Sequence, residues 1–152
     1  MHKFYQAMLD EYAALHAEIV KAIDELPPEA LDWVPGPEMN SLSVLVVHLT
    51  GSERYWIGDV AKGEPSGRDR EAEFRVKGMT AEALKQRLAD VDRYEAAAFE
   101  RLQLSALEEM RVARGGKEVT VAKALLHPLQ HTGQHVGHIE ILKHQWMERQ
   151  SS

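Results

Sequence analysis

The chain has 152 residues, 44% of them apolar and 28% charged, and it contains no cysteine. This length and balance fit one globular domain with its own core, which we expect to span residues 1–152. The absence of cysteine excludes disulfides, a thiolate nucleophile and cysteine-based zinc sites. A net charge of −6 without a basic cluster argues against nucleic-acid binding. No apolar run approaches the ~18 residues of a membrane span and no signal peptide is apparent, so we expect a cytoplasmic protein that does not bind membranes.

The first two helices are predicted from apolar spacing and from the residues that interrupt it. Between about residues 2 and 25, one helix face is formed by Phe4, Met8, Tyr12, Leu15, Ile19 and Ile23. Pro27 and Pro28 end this helix. Asn40 or Ser41 then caps a second helix, which we place from Leu42 to about Ala61. Its first turns are apolar almost all round, so it should be the most buried of the helices.

The third helix follows a polar stretch, residues 62–79, which we assign to a surface loop. The helix opens at Thr80, and its apolar stripe extends to Leu102. Beyond it, Gly115 and Gly116 lie between two valine-containing segments and predict a small β-hairpin.

The last helix is placed from about Thr120 to Glu148. Pro128 has no N–H to donate, so this helix is expected to be kinked just before His131 or to start afresh at Pro128. Long helices joined by short or medium connections predict an all-α four-helix bundle, with the small hairpin before the last helix.

Histidine is the unusual feature of the composition, because four of the eight histidines lie between residues 127 and 138. At about 100° per residue, the apolar positions of the last helix form one arc, at Val121, Leu125, Leu129, Thr132, Val136, Ile139 and Trp146. His135 lies at the edge of this arc and His131 a little further round. His127 and His138 lie nearer the rim. We expect His2, His16 and His144 on the surface, without a role.

His131 and His135 are one helical turn apart, so their imidazoles can reach the same metal ion. His48 is the natural third ligand, because it lies in the most apolar helix, where a polar ring needs a partner. A lone buried histidine is more often a hydrogen-bonded core residue, and a surface H-x-x-x-H pair is often solvated. The combination of an inward pair with a buried histidine nevertheless favours a metal site with three protein ligands and an open position.

Several neighbours are candidates for supporting this site. Glu53 could orient a ligand, although a solvated carboxylate is an equal alternative. Trp56 could line a substrate pocket, with core packing as the competing interpretation. His127 and His138 could move a proton or bind an anion. Separately, Gly133 and Gly137 lie on the face away from the core, where they would allow another helix to approach closely.

Two segments resemble the DinB-like superfamily of four-helix-bundle, metal-dependent proteins. NSLSVLVVHLTGSERYWIGD is similar to the family pattern S-x-x-x-L-x-x-H-L-x-x-x-E and aligns its metal histidine with His48. HPLQHTGQHVGHIEIL matches H-x-x-x-H-x-G at His131, His135 and Gly137. The resemblance spans about residues 4–146, and it implies a bundle of unusual helix order, a Zn²⁺ or Ni²⁺ ion held by three side chains, and a homodimer. The chain departs from the bacillithiol-type H-R-G-Q ending at Val136 and His138.

The resemblance also implies an activity, because characterised members are S-transferases that use low-molecular-weight thiols, and one is a mycothiol-dependent maleylpyruvate isomerase. We therefore expect a metal-dependent S-transferase acting with an external thiol on a small electrophile. The alternatives are a metal-dependent hydrolase of a small amide or ester, a binding or sensor module with a structural ion, and a fold whose site is empty.

Overall fold

A computed structural model describes all residues from 1 to 152. Each long helix begins where a side chain accepts a hydrogen bond from the backbone of its first turn. Nδ1 of His2 caps α1, Ser41 caps α2, Thr80 caps α4 and Thr120 caps α5. The helices are α1 (Lys3–Asp24), α2 (Leu42–Glu53), the short α3 (Arg70–Glu73), α4 (Ala81–Arg101) and α5 (Val121–Ser151).

The four long helices form the predicted bundle, and their order around it is not sequential. Both α1 and α2 pack against α4 and against α5. The first two helices of the chain are therefore diagonal neighbours. The α1–α2 and α4–α5 connections therefore cross the bundle, whereas α2 and α4 are neighbours and the long connection between them carries α3, which packs against α2.

Helix α2 continues beyond Glu53 as a wider π-helical extension, Arg54–Lys62. It ends at Gly63, whose φ of 70° is one that other residues rarely adopt. The predicted end near Ala61 is thus correct within a residue. Such π segments are often found near functional sites, and here the extension holds Tyr55 and Trp56 beside the hairpin and α5.

The predicted hairpin is confirmed. Strands β1 (Met110–Ala113) and β2 (Lys117–Thr120) pair antiparallel, with Ala113 opposite Lys117 next to the turn. Gly115 and Gly116 both have φ of 76°, which glycine adopts without steric cost. The hairpin is supported by the bundle, since Ala113 and Val119 pack into its core.

The core consists of two apolar clusters separated by a layer of polar residues. The cluster near the α1–α2 connection includes Ile19, Leu49 and Val136, and the cluster near the hairpin includes Tyr12 and Ile57. Each long helix contributes one fully or almost fully buried polar side chain between them: His16, Glu53, Glu95 and Thr132. The bundle therefore has a polar layer, defined here by these four residues.

Three sequence-based expectations are corrected. His16 is 2% exposed, not a surface residue, because it lies on the apolar stripe of α1 and contacts carboxylates of other helices. Tyr5 rather than Phe4 begins that stripe, since Phe4 is 39% exposed. Residues 62–79 are not only a surface loop, because they contain α3 and the buried Glu73.

Helix α5 does not start afresh at Pro128. It runs without interruption from Val121, and Pro128 is buried within it. Packing of Leu125 and Thr132 on either side of the proline outweighs the hydrogen bond that its ring removes, a loss of ~3 kcal/mol in a helix interior.

No helix of the chain combines the length and the apolar character that a membrane-spanning helix needs.

Candidate metal centre

Three histidines from two helices meet at the side of the bundle. His48 comes from α2, and His131 and His135 come from consecutive turns of α5. Nε2 of His131 lies 3.2 Å from Nε2 of His48 and 3.1 Å from Nε2 of His135. One ligand atom from each ring lies within 4.8 Å of the others. We call these three residues the histidine triad.

The spacing of the triad fits a bound ion. Zinc–nitrogen bonds are ~2.0–2.1 Å long, so two ligands at a tetrahedral angle stand about 3.3 Å apart. The separations of 3.1 and 3.2 Å are close to this value. Three imidazoles suit Zn²⁺, Ni²⁺ and related divalent metals, and they leave a further coordination position for another ligand.

Glu73 determines how His48 presents its ring. Nδ1 of His48 lies 2.9 Å from Oε2 of Glu73, and an ionised carboxylate only accepts hydrogen bonds. Nδ1 therefore carries the proton, and Nε2 offers a lone pair to the triad. Arg68 holds Glu73 in turn through two bonds, Nε to Oε1 at 2.6 Å and Nη2 to Oε2 at 2.9 Å.

Gly51 leaves the space that Glu73 occupies. A Cβ atom at this position would lie 3.1 Å from Cδ of Glu73 and would overlap its Oε1. The helix α2 thus has a gap on the turn after His48, and the carboxylate of α3 fills it. This gap explains why a segment so far along the chain can reach the triad.

The outer nitrogens of the other two triad rings differ in their surroundings. Nδ1 of His135 lies 3.3 Å from Nδ1 of the exposed His138. Nδ1 of His131 is buried without a hydrogen-bond partner. The ring of His127 stacks at 6.0 Å from that of His131, and Trp56 lies 4.6 Å from His127. An aromatic wall therefore covers one side of the triad.

The surroundings of the triad favour neutral rings, which is the form that binds metals. Burial and the neighbouring His135 and His48 lower the pKa of His131 to about 3. Burial, His48 and His138 lower the pKa of His135 to about 4. Burial alone would raise the pKa of Glu73, but hydrogen bonds from His48 and Arg68 outweigh it and hold the pKa below its usual value.

The fold agrees with that of related proteins. The family model described as mycothiol S-transferase matches residues 6–147, which is nearly the whole chain. The chain belongs to this family. The family is DinB-like, as the two histidine-containing segments had suggested. No curated protein matches the chain at a significant level.

Solved structures confirm the DinB-like four-helix fold of this mycothiol S-transferase family member. A conserved protein from Enterococcus faecalis superposes with a TM-score of 0.76 at 13% identity, covering 94% of this chain and 96% of that one. Bacillus subtilis YfiT, described as a probable metal-dependent hydrolase with an unusual four-helix bundle topology, gives 0.76 at 14% identity over 96% and 89%. A mycothiol-dependent maleylpyruvate isomerase gives 0.67 at 13% identity over 87% of this chain and 59% of that one.

The structure places the remaining candidates in different positions. His127, His138 and Trp56 lie around the triad. Glu53 does not contact it: Oε1 of Glu53 accepts hydrogen bonds from the Thr132 hydroxyl and from His16, in the polar layer. The carboxylate beside the triad is Glu73, which sequence reasoning missed. Little in the sequence indicates this position of Glu73, since an acidic residue in a polar stretch belongs to no periodic pattern.

Proposed function

We propose that the chain is a metal-dependent S-transferase that transfers a low-molecular-weight thiol to a small electrophile. His48, His131 and His135 would hold one divalent transition-metal ion. The observation that carries the proposal is the convergence of three Nε2 atoms at the spacing of metal ligands. Family membership supports the thiol chemistry, and mycothiol is the thiol that the family description names.

The three imidazoles of the triad would hold the ion at the side of the bundle. A divalent ion bound there would lower the pKa of a coordinating thiol, so that the thiol becomes a nucleophile near neutral pH. The nucleophile must come from outside, because the chain has no cysteine. Glu73 keeps the proton on Nδ1 of His48, and Trp56 and His127 shield one side of the triad from water.

His138 has two features that suit proton handling. Its ring contacts His135 and is itself exposed, so it connects the triad with solvent. We propose that it accepts the proton that the thiol releases, or binds an anionic group of the substrate. Replacement of His138 by Ala should therefore lower the rate of transfer even when the variant is fully loaded with metal.

The test measures metal content and thiol transfer in protein purified without a His-tag. Elemental analysis should find about one Zn²⁺ or Ni²⁺ per chain, which are the metals that the resemblance favours. With mycothiol and monobromobimane as the probe electrophile, the metal-loaded protein should accelerate the formation of the conjugate. His135→Ala should lose most of the metal and the activity together.

His144→Ala is the matched control, because His144 is an exposed histidine on the same helix. It should keep wild-type metal content and activity. Unchanged metal content in His135→Ala would refute the triad as the ligand set. A metal-loaded protein that hydrolyses small esters or amides without any thiol would indicate a hydrolase instead, the description given to YfiT. A loaded protein that is inert to both substrate types, and that unfolds on chelation, would indicate a structural ion.

We also propose a homodimer, with the outer face of α5 as its interface. A Cβ at Gly133 or Gly137 would meet nothing within 4 Å, and Leu126 and Ile141 on the same helix are 50% and 54% exposed. An apolar surface with small residues allows a second helix to approach closely. Light scattering should give twice the chain mass, and Ile141→Glu should give a monomer.

A further inference from the structure

A cavity lies on the other side of Glu73 from the triad. It occupies about 550 Å³ between α2, α4 and the segment that carries α3, which is the size of an ordinary small-molecule site. No triad histidine lines it. Glu73 and Arg68 line it and also lie next to His48, so this ion pair forms the partition between the cavity and the triad.

The charged groups in the cavity wall are almost all occupied. Arg68 binds Glu73. Arg54 binds Asp59 at 3.3 Å and the carbonyl of Glu64. The acids of the wall are occupied as well: Asp69 caps α3 through the amide of Ala72, and Asp90 accepts hydrogen bonds from Arg93 and Gln86.

Arg87 is the exception among these groups. It lies on α4 in the cavity wall and has no ion-pair partner, and its Nε is buried without a hydrogen-bond partner. A buried donor without an acceptor costs free energy, so such groups are usually satisfied by a ligand or water. The guanidinium is always charged and presents its donors in a fork that matches the two oxygens of a carboxylate or phosphate.

The rest of the wall fits the body of such a ligand. Val47, Val76 and Val91 provide apolar surface. The hydroxyl groups of Ser66 and Tyr94 already donate to Asp59 and Glu64, so Arg87 is the free donor of the wall. We propose that this cavity is a binding site for a small organic oxyanion with an apolar or aromatic body, and that Arg87 binds its anionic group. This site is separate from the triad and does not depend on the activity proposed for it.

The experiment uses three probes of similar size with the full-length protein: benzoate, phenyl phosphate and the neutral benzamide. Binding is followed by calorimetry and by the methyl NMR signals of Val47, Val76 and Val91. We expect at least one anion to bind and to shift these signals, whereas benzamide does not. The comparison of benzoate with phenyl phosphate shows which oxyanion the site prefers.

Variants then test the role of Arg87. Arg87→Gln should weaken anion binding at least about tenfold, the effect expected when a charged hydrogen bond is lost. Arg101→Gln removes the same charge from an exposed position on the same helix, and it should bind as the wild type does. Arg87→Lys, which keeps the charge but loses the fork, should bind with intermediate affinity and serves if the glutamine variant does not fold.

Three outcomes would overturn the proposal. The first is no binding of either anion at about 10 mM, where even a Kd near 1 mM gives nearly full occupancy. The second is equal binding of benzamide and benzoate. The third is an anion that still binds Arg87→Gln but not His135→Ala, which would place it at the triad.

Discussion

Nδ1 of His48 and Oε2 of Glu73 lie 2.9 Å apart, although 25 residues separate them in the chain. The bond links the most buried helix of the bundle to a helix of four residues in the long α2–α4 connection. It makes the orientation of a triad ring depend on a segment outside the four-helix framework.

Glu73→Gln should lower metal affinity. The amide is neutral and a weaker acceptor, so it leaves the proton on Nδ1 of His48 less firmly placed and the ring less basic. Loss of such an outer partner typically costs 10- to 100-fold in metal affinity. Competition with a chromophoric chelator measures it. Glu71→Gln is the control, because Glu71 is an exposed acid on the same short helix and should leave the affinity unchanged.

Gly51→Ala should reproduce much of this effect without touching a polar group. The new methyl would overlap Oε1 of Glu73, so the carboxylate must move away from the bonds that Arg68 and His48 make with it. We expect a metal affinity lowered at least about tenfold. The same chelator competition measures it.

Gly133→Ala is the matched control for this substitution. Its methyl would meet nothing within 4 Å, and alanine is favoured over glycine in a helix by up to ~1 kcal/mol. Metal affinity should stay at the wild-type level in this variant. An equal fall in metal affinity in both variants would mean that adding a methyl group to either helix lowers the affinity, independently of the contact between Gly51 and Glu73.

Much of the architecture could be predicted from local signals. Proline, glycine and capping residues mark the helix ends within a few positions, and the glycine pair marks the hairpin. Helical geometry also separates His131 and His135 from His127 and His138, because the direction of a side chain on one helix follows from its position alone. These inferences need no knowledge of how the helices pack.

The parts that could not be predicted are those that depend on several elements at once. Glu73 reaches His48 only because Gly51 leaves a gap for it. His16 is buried because Glu53 and Asp92, from two other helices, satisfy its ring nitrogens. Neither relation produces a periodic pattern in the sequence, since each joins residues of distant segments.

The polar layer predicts how stability changes with pH. His16 lies between Glu53 and Asp92, and Glu95 and Tyr12 are close by. Burial alone would lower the pKa of His16, but its hydrogen bonds to Asp92 and Glu53 raise it to about 10. The folded state therefore keeps a proton that the unfolded state releases near pH 6.5.

The free energy of unfolding of the metal-free protein should thus fall as pH rises from about 7.5 to about 9.5. Below this range His131 and His135 act in the opposite direction, because their lowered pKa values keep them neutral while the unfolded chain binds protons near pH 6.5. The contribution of His16 is complete below pH 6.5 and is lost as pH rises through 10. Burial and Glu53 also raise the pKa of Glu95, which acts in the same direction. Urea unfolding at the two pH values measures the slope, which should be shallower in His16→Gln. The exposed His144→Gln should retain the wild-type slope, and a wild-type stability that rises over this range would contradict the assignment.

The two buried glutamates of the polar layer should respond in opposite ways to replacement by methionine. Oε1 of Glu53 accepts hydrogen bonds from His16 and Thr132, so Glu53→Met leaves the charged ring without one of its partners. Breaking a buried charged pair in this way costs ~3–5 kcal/mol. Both oxygens of Glu95 are buried without hydrogen-bond partners, so Glu95→Met removes an unsatisfied group and should raise the free energy of unfolding by ~1–3 kcal/mol.

Urea unfolding of both variants at neutral pH, with the metal removed, measures this contrast. The exposed Glu100→Met on α4 is the control for a change of net charge, and it should stay within ~0.5 kcal/mol of the wild type. A large loss of stability in Glu95→Met would show that Glu95 has partners in solution, such as enclosed water molecules bridging to Tyr12, whose hydroxyl is also buried without a partner. The polar layer would then be a hydrated network rather than a single ion pair beside a protonated acid.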